Sequence, residues 1–236
     1  MIFPSFSIII PIFNEKKNII SLLRKIISSI RDLKYEIIII DDSSTDGSQN
    51  VIEKFIKKKS YIKLIKRTKY PRDLSLSCIR GFEKSNNKFI LVMDGDGQHH
   101  PKYIKRMLKK MNNRNLDFVI GTRNLFSEKF EGLSYLRKKS SQLIIILINF
   151  LFGNITKDPM SGFFIFRKKV YLENKHKLYK KGYKILFDLI TSKKNLNISD
   201  INIKFLRRNE GQSKMSFKIV IILVFQIIYK LIKKIR

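Results

Sequence analysis

The chain has 236 residues, room for one large α/β domain or two small ones with a sizeable core. With 44% hydrophobic and 29% charged residues, it is neither a disordered polar chain nor a polytopic membrane protein. Its 49 Lys and Arg against 19 Asp and Glu leave a net charge of +30, which draws phosphates of nucleic acid, anionic lipid or a phosphorylated substrate. Part of that bias is background, because the Ile- and Asn-rich composition is that of an AT-rich genome.

The first eleven residues lack the basic start and long apolar stretch of a signal peptide. Within them, residues 6–10 form a continuous apolar run stopped by Pro11, the pattern of a buried parallel strand. Ile19, Leu22, Leu23, Ile26, Ile27 and Ile30 then fall at helical spacing. Residues 36–40 are the next strand and lead straight into Asp41 and Asp42, with Asp46 as the cap of a helix burying Val51, Ile52, Phe55 and Ile56. Strands at 61–66 and 89–93 flank a helix at 74–85. That helix carries the only cysteine, Cys78, which excludes internal disulfides and a cysteine-only zinc site and fits a reducing compartment. Pro101 opens a helix with Ile104, Met107, Leu108 and Met111 inward, and 116–120 is a fifth strand. Strands alternating with helices predict a mostly parallel α/β sheet covered on both faces.

The second half changes character. Residues 143–152 read as a very apolar helix, 158–162 as a turn, 163–166 as a strand, 183–192 as a short helix and 198–205 as an alternating strand. A polar loop at 207–214 precedes an apolar, then basic, tail at 217–236. Neither greasy segment has the roughly 18 uninterrupted apolar residues of a spanning helix.

In a parallel sheet, ligands bind beyond the carboxyl ends of the strands, here the loops at 11–15, 41–47, 94–98 and 121–124. Three of the four carry carboxylates, and an acidic cluster inside so basic a protein suggests a bound divalent cation. Asp94 and Asp96 flank Gly95 at a strand end, where a turn can aim both carboxylates, or one with Gln98, at Mg²⁺ or Mn²⁺ shared with a nucleotide. The alternative is a solvated Asp-Gly turn, and His99 and His100 read as exposed loop histidines. Asp42 suits a nucleobase or ribose hydroxyl. Neither a dinucleotide-binding glycine motif nor a P-loop is present.

The segments SIIIPIFNE (7–15), EIIIIDDSSTDG (36–47) and VMDGDGQHHP (92–101) resemble the inverting family 2 glycosyltransferases of GT-A fold. DPMSGFF (158–164) and FLRRNEGQSK (205–214) are similar to the dolichyl/polyprenyl-phosphate mannose synthase branch. The likeness covers residues 5–216. It implies that Pro11, Phe13, Glu15 and Asp42 hold the nucleoside, and that Asp94, Gly95, Asp96 and Gln98 hold the metal and the donor diphosphate. It further places Arg123, Arg208 and Lys214 on the donor and Arg123, Arg137 and Ser141 on the lipid phosphate, with Asp96, Arg123, Asp158 and Arg208 as the catalytic set. Asp158 is read either as a group that positions sugar or acceptor or as a cap of the Pro159 turn. The loop at 72–77 departs from the glycine-rich version common in this branch.

The implied reaction is metal-dependent, inverting transfer of a hexose, foremost mannose from GDP-mannose, to a polyprenyl phosphate. Rivals are a UDP-glucose or UDP-N-acetylhexosamine donor and, from another class, a nucleic-acid-binding protein. Acidic strand-end loops and the absence of any nucleic-acid motif argue against the last. Residues 1–216 are expected to be the catalytic domain. An interfacial helix at 134–153 and the tail at 217–236 would rest on an anionic membrane surface, peripheral to its cytoplasmic face. Lys230, Lys233, Lys234 and Arg236 are expected at headgroup level, and a separate transmembrane partner is an option because the chain stops where many relatives add spanning helices.

Overall fold

The structure, a computed structural model, describes residues 3–68, 71–112, 115–127, 134–206 and 217–235, with side chains of the last helix given for 220–233. The strands are β1 (Phe6–Ile12), β2 (Tyr35–Asp41), β3 (Ile62–Lys66), β4 (Phe89–Val92), β5 (Phe118–Arg123), β6 (Phe164–Arg167) and β7 (Ile198–Ile203). They form one sheet in the order β3-β2-β1-β4-β6-β5-β7, in which β6 alone runs antiparallel to its neighbours. Every other strand therefore ends at the same edge, and β6 starts there, which brings the turn at 158–162 beside the ends of β4 and β5.

β1 runs through Pro11 instead of stopping at it, with Pro11 paired to Ile40 of β2. The reason is which side of the strand Pro11 faces. Ile9 O accepts from Met93 N on the β4 side, and Ile12 O accepts from Asp42 N on the β2 side. The missing N–H of Pro11 thus faces the β4 side, where the ladder has ended, and no bond is lost.

Helices α1 (Ile19–Ile30), α2 (Ser48–Ile56) and α4 (Tyr103–Met111) cover one face, packing Leu23, Ile26, Ile52 and Met107 against Ile8, Ile10 and Ile39. The other face buries Ile9, Ile38 and Ile90 under α3 (Leu74–Lys84), α6 (Lys168–Asn174) and α7 (Ile185–Ile190). The short α6 is an element the hydrophobic spacing did not predict. Gly47 is the N-cap of α2, and Asp46 still serves the same helix start by accepting from Ser48 N at 2.9 Å.

A third apolar cluster joins α5 (Tyr135–Phe152) to α8 (Phe217–Ile235) through Leu125, Ile145, Ile148, Met160, Phe187, Leu223 and Ile227. The α5 helix starts at Tyr135, so Arg137 and Ser141 lie within its first two turns. Each of the two helices also turns an apolar face outward: Leu136, Leu143, Ile146 and Phe150 on α5, and Ile221, Val224, Phe225 and Ile228 on α8. No helix among the described residues is long and apolar enough to cross a membrane.

One expectation for the tail is corrected. Lys230 is not at a headgroup surface: it is buried, with its Nζ 2.6 Å from Asp188 Oδ1 and donating to Asp188 O and Lys177 O. Asp188 in turn accepts from Tyr179 N and Lys180 N. Lys233, one turn on, is exposed.

Candidate active site

Two loops at the strand ends are stitched to each other. Asn14 N donates to Ser44 Oγ, Thr45 N to Asn14 Oδ1, Glu15 N to Ser48 Oγ and Lys16 N to Asp46 Oδ2. Asn14 reaches this register with φ of 53°, a left-handed conformation that Asn tolerates better than most residues. Phe13, the last side chain before this seam, lies under the Arg72 guanidinium at 4.2 Å from the ring centroid. The loop at 41–47 and the segment 71–73 thereby share one wall.

Asp42 sits in that wall, but its oxygens already have partners. Oδ1 takes Arg67 Nη1 at 2.5 Å and Oδ2 takes Asp73 N at 2.7 Å. Burial pushes the carboxyls of Asp42 and Asp73 up from their ordinary values, and the Arg67 charge and backbone N–H groups oppose that rise. Asp73, standing in the loop that departs from the glycine-rich pattern, caps α3 through Leu76 N and accepts from Gly182 N at 2.6 Å. Arg67 and Asp73 were not singled out in the sequence, although Arg67 directly follows β3 and faces an acidic loop.

The Asp94–Gln98 turn lies next along the edge. Asp96 Oδ1 accepts from Gln98 N, and the Gln98 amide nitrogen donates to Leu206 O at 3.0 Å, leaving Oε1 as its oxygen for a cation. The carboxylate of Asp94 rests against Gly162, where any side chain would run into it. His99 is buried, contrary to the expectation of an exposed loop histidine: it lies between Phe163 and Phe205 with Nε2 3.3 Å from Asp94 Oδ2. Burial alone would raise the Asp94 carboxyl, but His99, Lys184 and Arg123 outweigh it and hold the group below its ordinary value.

Arg123 ends β5 and meets the 158–162 turn. Its Nε and Nη2 bond Asp158 Oδ2 and Oδ1 at 2.7 and 2.9 Å, and its backbone N donates to the same carboxylate. Asp158 is fully buried. Both of its oxygens are taken by Arg123. Ser161 Oγ fixes the turn by donating to Gly121 O at 2.6 Å.

The structure thus brings Pro11, Phe13, Glu15, Asp42, Asp94, Asp96, Gln98, Arg123 and Asp158 to one edge. Arg137 and Ser141 lie on α5, whose Gln142 donates to Leu125 O two residues beyond Arg123. Arg208 and Lys214 lie outside the described residues. Lys184, just before α7, was missed; burial first, then Arg123, lowers its pKa to about 8, while Asp158 and Asp94 counteract.

The residues present fit a divalent cation. Asp94 and Asp96 are hard oxygen donors on one turn, and among the described residues no third His, Cys, Asp or Glu groups with them into a closed site. A site of one or two carboxylates suits a small cation that takes its remaining oxygens from substrate phosphates and water.

Comparison with known proteins gives the family and the fold. Residues 7–174 match Glycosyl transferase family 2. A dolichol-phosphate mannosyltransferase of Pyrococcus furiosus is 33% identical over 229 residues, covering 96% of this chain and 63% of that protein's length. The chain therefore spans less than two thirds of that relative. The dolichol-phosphate mannosyltransferase of Mycosarcoma maydis is 30% identical over 227 residues, covering 92% of this chain and 76% of its own. Among solved structures, glucosyl-3-phosphoglycerate synthase of Mycobacterium tuberculosis with Mn²⁺, UDP and phosphoglyceric acid superposes with a TM-score of 0.73. It has 16% identity and covers 98% of this chain and 78% of that one, a likeness of fold.

Proposed function

Because the chain belongs to glycosyl transferase family 2, we propose that it transfers mannose from GDP-mannose to a polyprenyl phosphate, with inversion, at the surface of a membrane. The observation that carries this reading is a convergence: the Asp94–Gln98 turn and the Arg123–Asp158 pair share one edge, and the outward apolar helix α5 packs beside them on Leu125 and Met160. The mannosyltransferases named above support the sugar and the class of acceptor.

Donor and acceptor are both anions and repel each other, so the site must supply positive charge. Mg²⁺ or Mn²⁺ at Asp94, Asp96 and Gln98 would neutralise the leaving diphosphate. Phe13 and the Asp42–Arg67 wall would receive the nucleoside. The acceptor phosphate is ionised, so its oxygen attacks the anomeric carbon directly. As that C–O bond forms, the bond to the donor diphosphate breaks, and its electron pair leaves on the nucleoside diphosphate. No proton has to be removed, so no catalytic base is required. Arg123 is held in one orientation by Asp158 and offers fixed donors and charge to this transition state. Arg137 and Ser141 on α5 would hold the lipid phosphate.

Residues 1–216 then form the catalytic unit. The apolar faces of α5 and α8 would rest in the interface on the cytoplasmic side, with basic side chains such as Lys233 toward anionic headgroups. The test is a panel of radiolabelled nucleotide-sugars incubated with the full chain and polyprenyl phosphate in vesicles, followed by lipid extraction. GDP-mannose should label the lipid most strongly. Labelling from UDP-glucose or UDP-N-acetylhexosamine alone would replace the donor, and no labelled lipid from any donor would overturn the acceptor.

A further inference from the structure

His99 stands directly after the cation turn, yet its ring faces inward and is only 1% exposed. Phe163 lies 5.2 Å from it between ring centroids, and Phe205 stands across it at 5.1 Å and 64°. The backbone is held as well. His99 pairs with Phe205 in an antiparallel bridge, Leu206 N donates to Gln98 O at 2.9 Å, and Gln98 Nε2 donates to Leu206 O at 3.0 Å. Packing between two phenyl rings does not require an imidazole, whose nitrogens lose water there and must be compensated.

The two ring nitrogens have different surroundings. Nε2 lies 3.3 Å from Asp94 Oδ2. Nδ1 is buried with no hydrogen-bond partner among the described residues. A proton on Nδ1 would be a buried donor with nothing to accept it, whereas a bare Nδ1 leaves only a lone pair unmet. The surroundings therefore select the tautomer with its proton on Nε2, toward the carboxylate. The same carboxylate rests against Gly162, where any side chain would run into it. Asp94 is thus confined by a ring nitrogen and by a residue without a side chain, and both lie outside the few atoms of its own turn.

We infer that His99 is a positioning residue for the metal: it donates its Nε2 proton to Asp94 Oδ2 and so holds that carboxylate in the orientation that binds the cation. The inference rests on the metal-dependent reading above and deepens it. It gives His99 no bond to the metal itself, because Nε2 is spent on Asp94 and Nδ1 is enclosed. Partners that orient a metal ligand in this way are worth about 10- to 100-fold in metal affinity. Phe205 connects the device to the rest of the site, since Arg123 Cζ lies 5.5 Å from the same ring that braces His99.

The experiment uses the full chain with two substitutions. His99→Phe keeps a ring in the same enclosure but has no donor, and His99→Gln carries an amide nitrogen that can stand near the Nε2 position. Mn²⁺ is titrated in the presence of GDP and read by electron paramagnetic resonance, with thermal melting of the metal-free chain as the check of folding. His99→Phe should weaken Mn²⁺ binding by about tenfold or more, and His99→Gln should stay within about threefold of wild type. A role in packing alone predicts the opposite order, because Phe suits the aromatic enclosure and Gln does not. A folded His99→Phe that binds Mn²⁺ within about twofold of wild type would overturn the inference. The wild-type chain supplies a test that needs no variant to fold: ¹⁵N NMR of labelled histidine, with GDP and Mg²⁺, should show His99 with its proton on Nε2. A proton on Nδ1 instead would overturn the donated bond. A wild-type chain that binds GDP but no Mn²⁺ would overturn the metal-dependent reading on which the inference rests.

Discussion

At the scale of single residues, the site is made of groups that act through one another. Asp158 is the clearest case, since both oxygens of this fully buried carboxylate are bonded by the Arg123 guanidinium. Asp158→Asn and Arg123→Ala should each lower kcat/KM by about 2 kcal/mol or more in transition-state terms. The double variant should lose little beyond either single one, because both remove the same unit. Strictly additive losses in steady-state kinetics would mean that Asp158 has a role independent of Arg123. Asp96→Ala should fold normally and lose activity, and excess chelator should do the same to the wild-type enzyme. Full turnover in chelator would remove the metal from the mechanism.

At the scale of elements, two buried carboxylates tie distant segments. Glu36 accepts from Ser7 Oγ at 2.7 Å, Asn86 N at 2.7 Å and Lys63 Nζ at 3.1 Å, pinning the opening of β2 to β1, β3 and the turn before β4. Burial would raise its carboxyl, and these partners outweigh burial and hold it below its ordinary value. Its contribution is therefore present above the unfolded carboxyl value of about 4.3 and is lost as pH falls through the lower folded value. Glu36→Gln should cost about 2 kcal/mol at neutral pH, and the deficit should shrink toward pH 3 in urea unfolding. The second tie is Lys230–Asp188. Lys230→Met should cost about 3 kcal/mol or more by stranding Asp188 in the interior, and adding Asp188→Leu should recover much of that loss. A Lys230→Met variant as stable as wild type by denaturant melts would show that α8 does not dock on α7 as described.

Much of this architecture was legible because buried parallel strands are continuous apolar runs and the helices repeat their apolar residues at helical spacing. What escaped depended on partners far along the chain. Pro11 looked like a strand end, but its missing N–H faces a side where β4 has already stopped. His99 looked like a loop residue because the aromatic rings that bury it, Phe163 and Phe205, come from the second half. The convergence of the acidic turns at one edge of the sheet was legible from the strand pattern. The pairings that consume Asp42 and Asp158 were not, because their partners Arg67 and Arg123 are set by strand order. Lys230 was read by composition as a headgroup lysine, and only the packing of α8 on α7 shows its buried pair.

At the scale of the whole molecule, charge and apolar surface act together. The chain carries +30, and α5 and α8 turn Leu143, Phe150, Val224 and Phe225 outward. Anionic vesicles should co-sediment the protein, and high salt should weaken but not abolish binding, because only the electrostatic share is screened. Phe150→Ser with Phe225→Ser should weaken the salt-resistant share while leaving the melting temperature near wild type, since both side chains are exposed. This pair is a better probe than removal of α8, which would uncover Phe187 and Met160 and strand Asp188. Equal sedimentation of variant and wild type at high salt would place these faces away from the membrane.

The central claim is inverting transfer of mannose onto a lipid phosphate, and the product itself tests it most directly. The lipid made by the full chain from GDP-mannose and polyprenyl phosphate can be purified and the anomeric configuration of its mannosyl phosphate read by NMR. The donor carries an α linkage, so direct attack by the acceptor oxygen predicts β-mannosyl phosphate. An α-linked product, or mannose attached anywhere but on the phosphate, would contradict it.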